Sequence, residues 1–289
     1  MTFDAFLQAA WADHGDRPQE VADRLGASLQ VIDDPGQILR FAALVTHVFG
    51  EHLGRWEGGV ALLDALRSLP AFDGSPVVAG ALAQNIGALR FAGGDAAALE
   101  SLTPEQRVAA LATAAAAFAG LGRHAEAIAA YTRALGLAGA GLPDGSPAAR
   151  ALAIGGNNLA AALEEKPDRD ASETQGMLDA AEGALRNWKL AGTWLEEERA
   201  EYRLTRSLLQ AGQPEPAIQS ARRCIAVCER NDAPAFERFF GYAVLALAQR
   251  SAVDMAGFEA SRGHALRLLA QVPEEERRWC EQELGELRG

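Results

Sequence analysis

Residues 46–59 read THVFGEHLGRWEGG. Two imidazoles and a carboxylate, His47, Glu51 and His52, fall close together, as they do where a zinc hydrolase holds its ion and activates water. The zinc motif H-E-x-x-H sets its histidines four apart, on one face of a helix. Here the two histidines are five apart. On a regular α-helix each residue turns about 100°, so Glu51 falls about 40° round from His47 and His52 about 140° round. The imidazoles are then expected on different sides, and the spacing predicts no metal site. A metal-dependent enzyme using His47, Glu51 and His52 is the last of the functional alternatives.

No other motif supplies catalysis. The chain has no nucleotide-binding glycine loop, nucleophile elbow or spaced metal set. Neither catalytic residues nor a cofactor are expected. Cys224, Cys228 and Cys280 are the three cysteines, too few for a disulfide framework. Cys224 and Cys228 lie one helical turn apart and read as small core residues, with a redox pair or half a metal site as the alternative.

The elements that carry these residues are helical. The 289 residues are 49% hydrophobic and 23% charged, enough for a sizeable core. Alanine-rich segments favour helices that approach closely. With 27 Lys and Arg against 39 Asp and Glu, the charge is −12, which argues against nucleic acid or an anionic membrane as partner. The N-terminus has no signal-peptide pattern. The longest apolar run, VAALATAAAAFAGL at residues 108–121, is too short to span a bilayer. A cytoplasmic location is expected.

Apolar residues recur three and four apart almost throughout, and no stretch alternates with period two, which predicts about fourteen helices and no sheet. DGSP occurs at residues 73–76 and 144–147, in each case with a Ser able to cap a helix and a Pro in its first turn. TPEQ at 103–106 is a capping box. QVPEEE at 271–276 places acids at a further helix start.

Residues 111–138, LATAAAAFAGLGRHAEAIAAYTRALGLA, resemble a tetratricopeptide repeat (TPR). In that family two antiparallel helices, A and B, cross where both carry small residues, with aromatics filling the space beside the crossing. Ala115 and Phe118 take the helix-A sites, Gly122 the turn, and Ala127, Tyr131 and Ala134 the helix-B sites. Residues 202–227 repeat the register with Gly212, Ala217, Ala221 and Cys224. NNLA at 157–160 resembles repeats of the kinesin light chain type. A weaker copy at 81–95 has a truncated helix B, and another lies at 242–269. In the opening stretch Gly54 becomes the turn and Gly59 the small helix-B site, with His47 opposite it. Repeat centres near 47, 87, 115, 160, 205 and 246 mostly step by about 40–45 residues, longer than the plain 34 and in keeping with the longer kinesin-light-chain type. The resemblance implies an all-α, right-handed α-solenoid of antiparallel helix pairs: a helical cap over residues 1–35, about six repeats over 36–271, and a closing cap helix over 272–289.

The resemblance also implies a concave groove lined by helix-A residues. These are Glu51 and His52, Gln84 and Asn85, the small residues Ala109, Ala112, Thr113 and Ala116, then Asn157, Asn158, Glu164 and Glu165, then Arg199, Tyr202, Arg203 and Arg206, and last Phe240 and Arg250. In this acidic chain Arg199, Arg203 and Arg206 share one helical face, and arginine suits carboxylates through its planar fork. The competing expectation is a solvated face on which Glu196 to Glu198 and other acids neutralise the arginines. Asn158, Arg199 and Arg203 match part of the carboxylate clamp of some family members, but Ala112 and Ala116 stand at its first two positions, so a full clamp is absent. The expected function is non-catalytic: a scaffold binding a protein or peptide, with an acidic or C-terminal segment as the candidate ligand. The alternative is a bacterial peptide-sensing regulator acting through a partner protein.

Overall fold

A computed structural model describes residues 2–139, 141–143 and 145–288. Among the described residues there is no strand, and no helix is long and apolar enough to cross a membrane. The chain divides into two compact units, Met1–Ala162 and Leu163–Gly289.

The first unit holds α1 (Phe3–Asp13), α2 (Pro18–Ala27), α3 (Pro35–Thr46), α4 (Trp56–Ala65), α5 (Pro76–Ala92), α6 (Pro104–Gly120), α7 (His124–Ala138) and most of α8 (Pro147–Glu165). The second holds α9 (Ala171–Ala191), α10 (Trp194–Gln210), α11 (Pro214–Arg230), α12 (Ala235–Ser251), α13 (Met255–Leu269) and α14 (Glu281–Arg288). Consecutive helices pack as antiparallel pairs: α3 with α4, α6 with α7, α10 with α11, and α12 with α13. After α5 the helix-B place is taken by a single 3-10 turn, Ala96–Leu99, as the truncated pattern predicts.

Local chemistry starts and stops these helices where the sequence says. Thr103 accepts from the Gln106 backbone N–H and Gln106 accepts in return from Thr103 N, a complete capping box on α6. Ser75 caps α5, and Ser146 accepts from Ala148 N at the start of α8. Asp144, the first residue of the second DGSP, lies outside the described residues. Five turns share one bond pattern, in which the residue after the turn position donates back five positions: Asp95 N to Arg90 O, Arg123 N to Phe118 O, Gln213 N to Leu208 O, Ala233 N to Cys228 O and Asp254 N to Gln249 O. This is the Schellman geometry, whose turn residue needs a left-handed φ; Gly122 and Gly212 both sit at +70°.

The cores follow from the small sites. Ala127 and Ala217 are fully buried at their crossings. Tyr131 is buried and donates to Leu152 O at 2.9 Å, which ties α7 to α8. Phe41, Ile38, Leu63 and Leu82 centre the core of the first unit, and Phe239, Ala243, Ala265 and Leu268 that of the second.

Two expectations are corrected near the opening stretch. After Thr46 the α-helix widens into a π-helical turn, His47–His52, with Leu53 N bonded to Val48 O five residues back. A five-residue hydrogen-bonded turn brings the fifth residue back over the first. His52 therefore lies on the same side as His47, not 140° away, and their Nε2 atoms are 3.1 Å apart. Nor does His47 face Gly59. A Cβ at Gly59 would meet Phe49 Cβ at 2.9 Å and Leu89 Cδ1 at 2.7 Å, so it is Phe49 that fills the space over the glycine. At the other end, Glu274–Cys280 form a 3-10 segment and the α-helix begins only at Glu281.

Candidate functional site

On α10 the spacing of Arg199, Tyr202, Arg203 and Arg206 presents one face, and each of these side chains is taken up by a carboxylate distant in sequence. Arg199 Nη2 donates to Glu237 at 2.8 Å, Arg203 Nη1 to Glu164 at 2.5 Å, and Arg206 uses both terminal nitrogens on Glu286 at 2.6 and 2.9 Å. Tyr202 donates to Glu283 and packs edge-on against Phe240. Glu196 to Glu198 are not the main partners. Glu196 closes the capping box of α10 with Thr193, Glu197 faces Lys189 at 3.8 Å, and Glu198 is buried. Arg199 is the most open of the three arginines, its side chain 59% exposed.

Glu283 and Glu286 both belong to α14. That helix lies across the helix-A face of the second unit, against α12 as well as α10. Arg250 donates to Glu286 O at 2.8 Å and Arg262 to Leu287 O at 3.1 Å, satisfying carbonyls at the end of α14. Leu287 and Cys280 enter the core beside Phe239.

Behind this face lies a buried layer of acids. Glu201 accepts from Arg223, Lys189 and Ser220. Glu198 accepts from the Cys224 thiol at 3.1 Å, while its Oε2 meets no donor. Burial pushes the Glu198 carboxyl up to about 8, with Glu237 beside it adding to the rise. A Glu198 that keeps its proton beside Glu237 accords with the rise. The hydrogen bond with Cys228, together with burial, holds the Cys224 thiol well above its ordinary range, so the pair is a core feature and not a nucleophile.

In the first unit the polar helix-A residues are half-buried: Gln84, Asn85, Asn157, Asn158, Glu51 and His52. Asn85 bonds back to Ala81 O at 2.9 Å, and Asn158 Nδ2 approaches Glu51 Oε2 at 3.5 Å. Gln84 and Asn157 make no intrachain side-chain hydrogen bond among the described residues. Next to Glu51 a cavity of about 240 Å³ opens between α6 and α8, floored by Ala112, Thr113, Ala116, Ile154 and Gly155. Small residues create it. A Cβ at Gly155 would come within 2.7 Å of Ala112 O, so the two backbones cross as closely as they can.

The same corner holds a residue that the sequence reading did not single out, His14 at the C-cap of α1. One nitrogen from each of His14, His47 and His52 lies within 4.8 Å of the others, and these are the residues among those described that could hold a metal. His47 Nδ1 is 2.9 Å from Glu51 Oε1, and His14 Nδ1 is 2.5 Å from Trp11 O. Burial holds His52 below the ordinary imidazole range, and the neighbouring His47 and His14 lower it further. Nothing in the spacing of residues 14, 47 and 52 reveals the cluster, because it depends on a tertiary contact and on the π-turn.

No protein-family model matches the sequence, and no curated protein does. Solved structures do match. In a variant form, a Podosopora anserina protein described as a kinesin light chain with nearly identical TPR-like repeats is 15% identical, with a TM-score of 0.50 over 83% of this chain and 97% of that chain. Another structure under the same description is 16% identical, with a TM-score of 0.47 over 86% of this chain and 98% of that one. BtubC (BKLC) from P. vanneervenii is 18% identical, with a TM-score of 0.49 over 75% of this chain and 89% of that one. At these identities the likeness is one of fold, and the fold is all-α, built from consecutive antiparallel helix pairs of the TPR-like kind.

Proposed function

We propose that the protein is a non-catalytic scaffold that binds a segment of a partner protein along its helix-A faces. The observation that carries this reading is α14. The helix-A face of the second unit takes an acidic helical segment through Tyr202, Arg206 and Arg250, two of which bind its carboxylates, so this surface has the chemistry of a peptide groove. There the occupant is the chain itself. The partner's place is the corresponding face of the first unit. Carboxamides such as Gln84, Asn157 and Asn158 can hold an extended backbone without demanding a particular side chain, and the cavity beside Glu51 takes an apolar side chain against Ala112, Ala116 and Ile154. Three buried, unpaired cysteines fit a reducing compartment such as the cytoplasm.

The test is affinity purification from the native cell with the wild-type chain and with Gln84→Ala/Asn157→Ala. The expected result is a partner recovered at stoichiometric level by the wild type and lost by the variant, with melting unchanged. Equal recovery by the two chains refutes the assignment.

A further inference from the structure

We propose that His14, His47 and His52 form a binding site for a zinc-class divalent ion, with Glu51 as the carboxylate that orients His47. The site goes beyond the scaffold reading and does not rest on it.

The three rings already converge. Their centroids lie 4.8 to 5.1 Å apart, and the Nε2 atoms of His47 and His52 are 3.1 Å apart. Zinc binds imidazole nitrogen at about 2.0–2.1 Å in tetrahedral geometry, which puts neighbouring ligand nitrogens roughly 3.3 Å from each other. His47 and His52 are close to that spacing, and a small side-chain rotation brings His14 in from within 4.8 Å.

The outer partners select the right tautomers. His47 Nδ1 faces Glu51 and His14 Nδ1 faces a backbone carbonyl, so in the neutral rings both Nδ1 atoms carry the proton and both Nε2 lone pairs are left open. A carboxylate or carbonyl behind each ligating histidine is the arrangement metal sites use to fix ring orientation and raise ligand basicity. Glu51 is itself approached by Asn158. Two Nε2 atoms at 3.1 Å need either a shared proton or a cation between them.

The backbone supplies an independent observation. The π-turn is what brings His52 over His47, and π-turns within α-helices gather at functional sites. A donor set made only of imidazoles suits zinc, nickel or copper over calcium or magnesium, and three protein ligands leave a fourth position for water or for an atom of a docked segment. Because His14 ends α1 while His47 and His52 belong to the π-turn, the ion would pin the N-terminal helix to the first helix pair.

Untagged full-length protein, stripped with chelator and dialysed, is titrated with Zn2+ by calorimetry at pH 7.5. One ion per chain with a micromolar or tighter Kd is expected. His14→Gln lies at the half-exposed end of α1 and should lose at least tenfold in affinity. Glu51→Gln should lose about 10–100-fold. His124→Gln, on α7, should bind as the wild type does. Co2+ in place of zinc should show the visible bands of a tetrahedral nitrogen site, absent in His14→Gln. Circular dichroism melts of the metal-free proteins establish that the variants are folded. No stoichiometric binding by the wild type, or binding that His14→Gln leaves intact, overturns the site.

Discussion

Val253 stands in the turn between α12 and α13 where Gly212 stands between α10 and α11: both have left-handed φ, 62° and 70°, and the residue after each closes the same five-back hydrogen bond. The position is made for glycine, because a Cβ there meets the following carbonyl at a cost of about 1–2 kcal/mol. Val253 is 80% exposed, so no packing compensates for the strain. Val253→Gly should therefore raise stability by about 0.5–1 kcal/mol after allowing for the extra freedom glycine has in the unfolded chain. A urea midpoint unchanged or lower than that of the wild type would show that the strain is not there.

On α7, which packs against α6, Ala127 is fully buried. Ala127→Leu should destabilise by about 1–3 kcal/mol through overpacking. Ala127→Gly should also destabilise, by about 1 kcal/mol, through helix propensity. Urea denaturation of both reads the register directly, since a surface position would tolerate the leucine.

The buried Glu198 makes stability depend on pH in a defined direction. Its folded value, about 8, lies above the ordinary 4.5. Below 4.5 folded and unfolded chains both hold the proton. Between 4.5 and about 8 the folded chain keeps a proton that the unfolded chain releases, so stability falls as pH rises through this window and levels off above it. Glu198→Gln keeps the shape and removes the titration. Its advantage over wild type should grow from pH 5 to pH 8.5 in chemical denaturation; a constant difference would mean that Glu198 is ionised in the fold.

Arg206 and Glu286 form a two-bond pair, with the arginine side chain only 13% exposed. A double-mutant cycle with Arg206→Met and Glu286→Gln should give a coupling of about 1–3 kcal/mol. Each single variant should also speed amide exchange in residues 281–288 while leaving α11 protected. Zero coupling would reduce the contact to a surface ion pair.

The fold was legible because its determinants are local. Gly122 and Gly212 mark turns by the backbone they permit, Thr103 and Gln106 mark a start by the bonds they exchange, and Ala127 and Ala217 mark crossings by their size. Val253 hid one turn, since nothing in a valine announces a left-handed φ. The π-turn was also hidden. Angles for His47 and His52 follow from the helix type, and a single inserted hydrogen-bonded turn moves His52 from one side to the other. The arginines of α10 were placed on one face correctly, but their partners Glu164, Glu237 and Glu286 lie 39, 38 and 80 residues away. Spacing within a helix says nothing about charges that arrive from another element.

The covering of the second unit by α14 has a consequence for competition. A segment tethered to the surface it occupies acts at an effective concentration in the millimolar range, whatever the amount of protein. A free peptide that sought Tyr202 and Arg206 at micromolar concentration would face an occupant about a thousandfold more concentrated. The second unit is thus buffered against weak acidic sequences, and only a ligand whose intrinsic affinity exceeds that of α14 by this margin registers there.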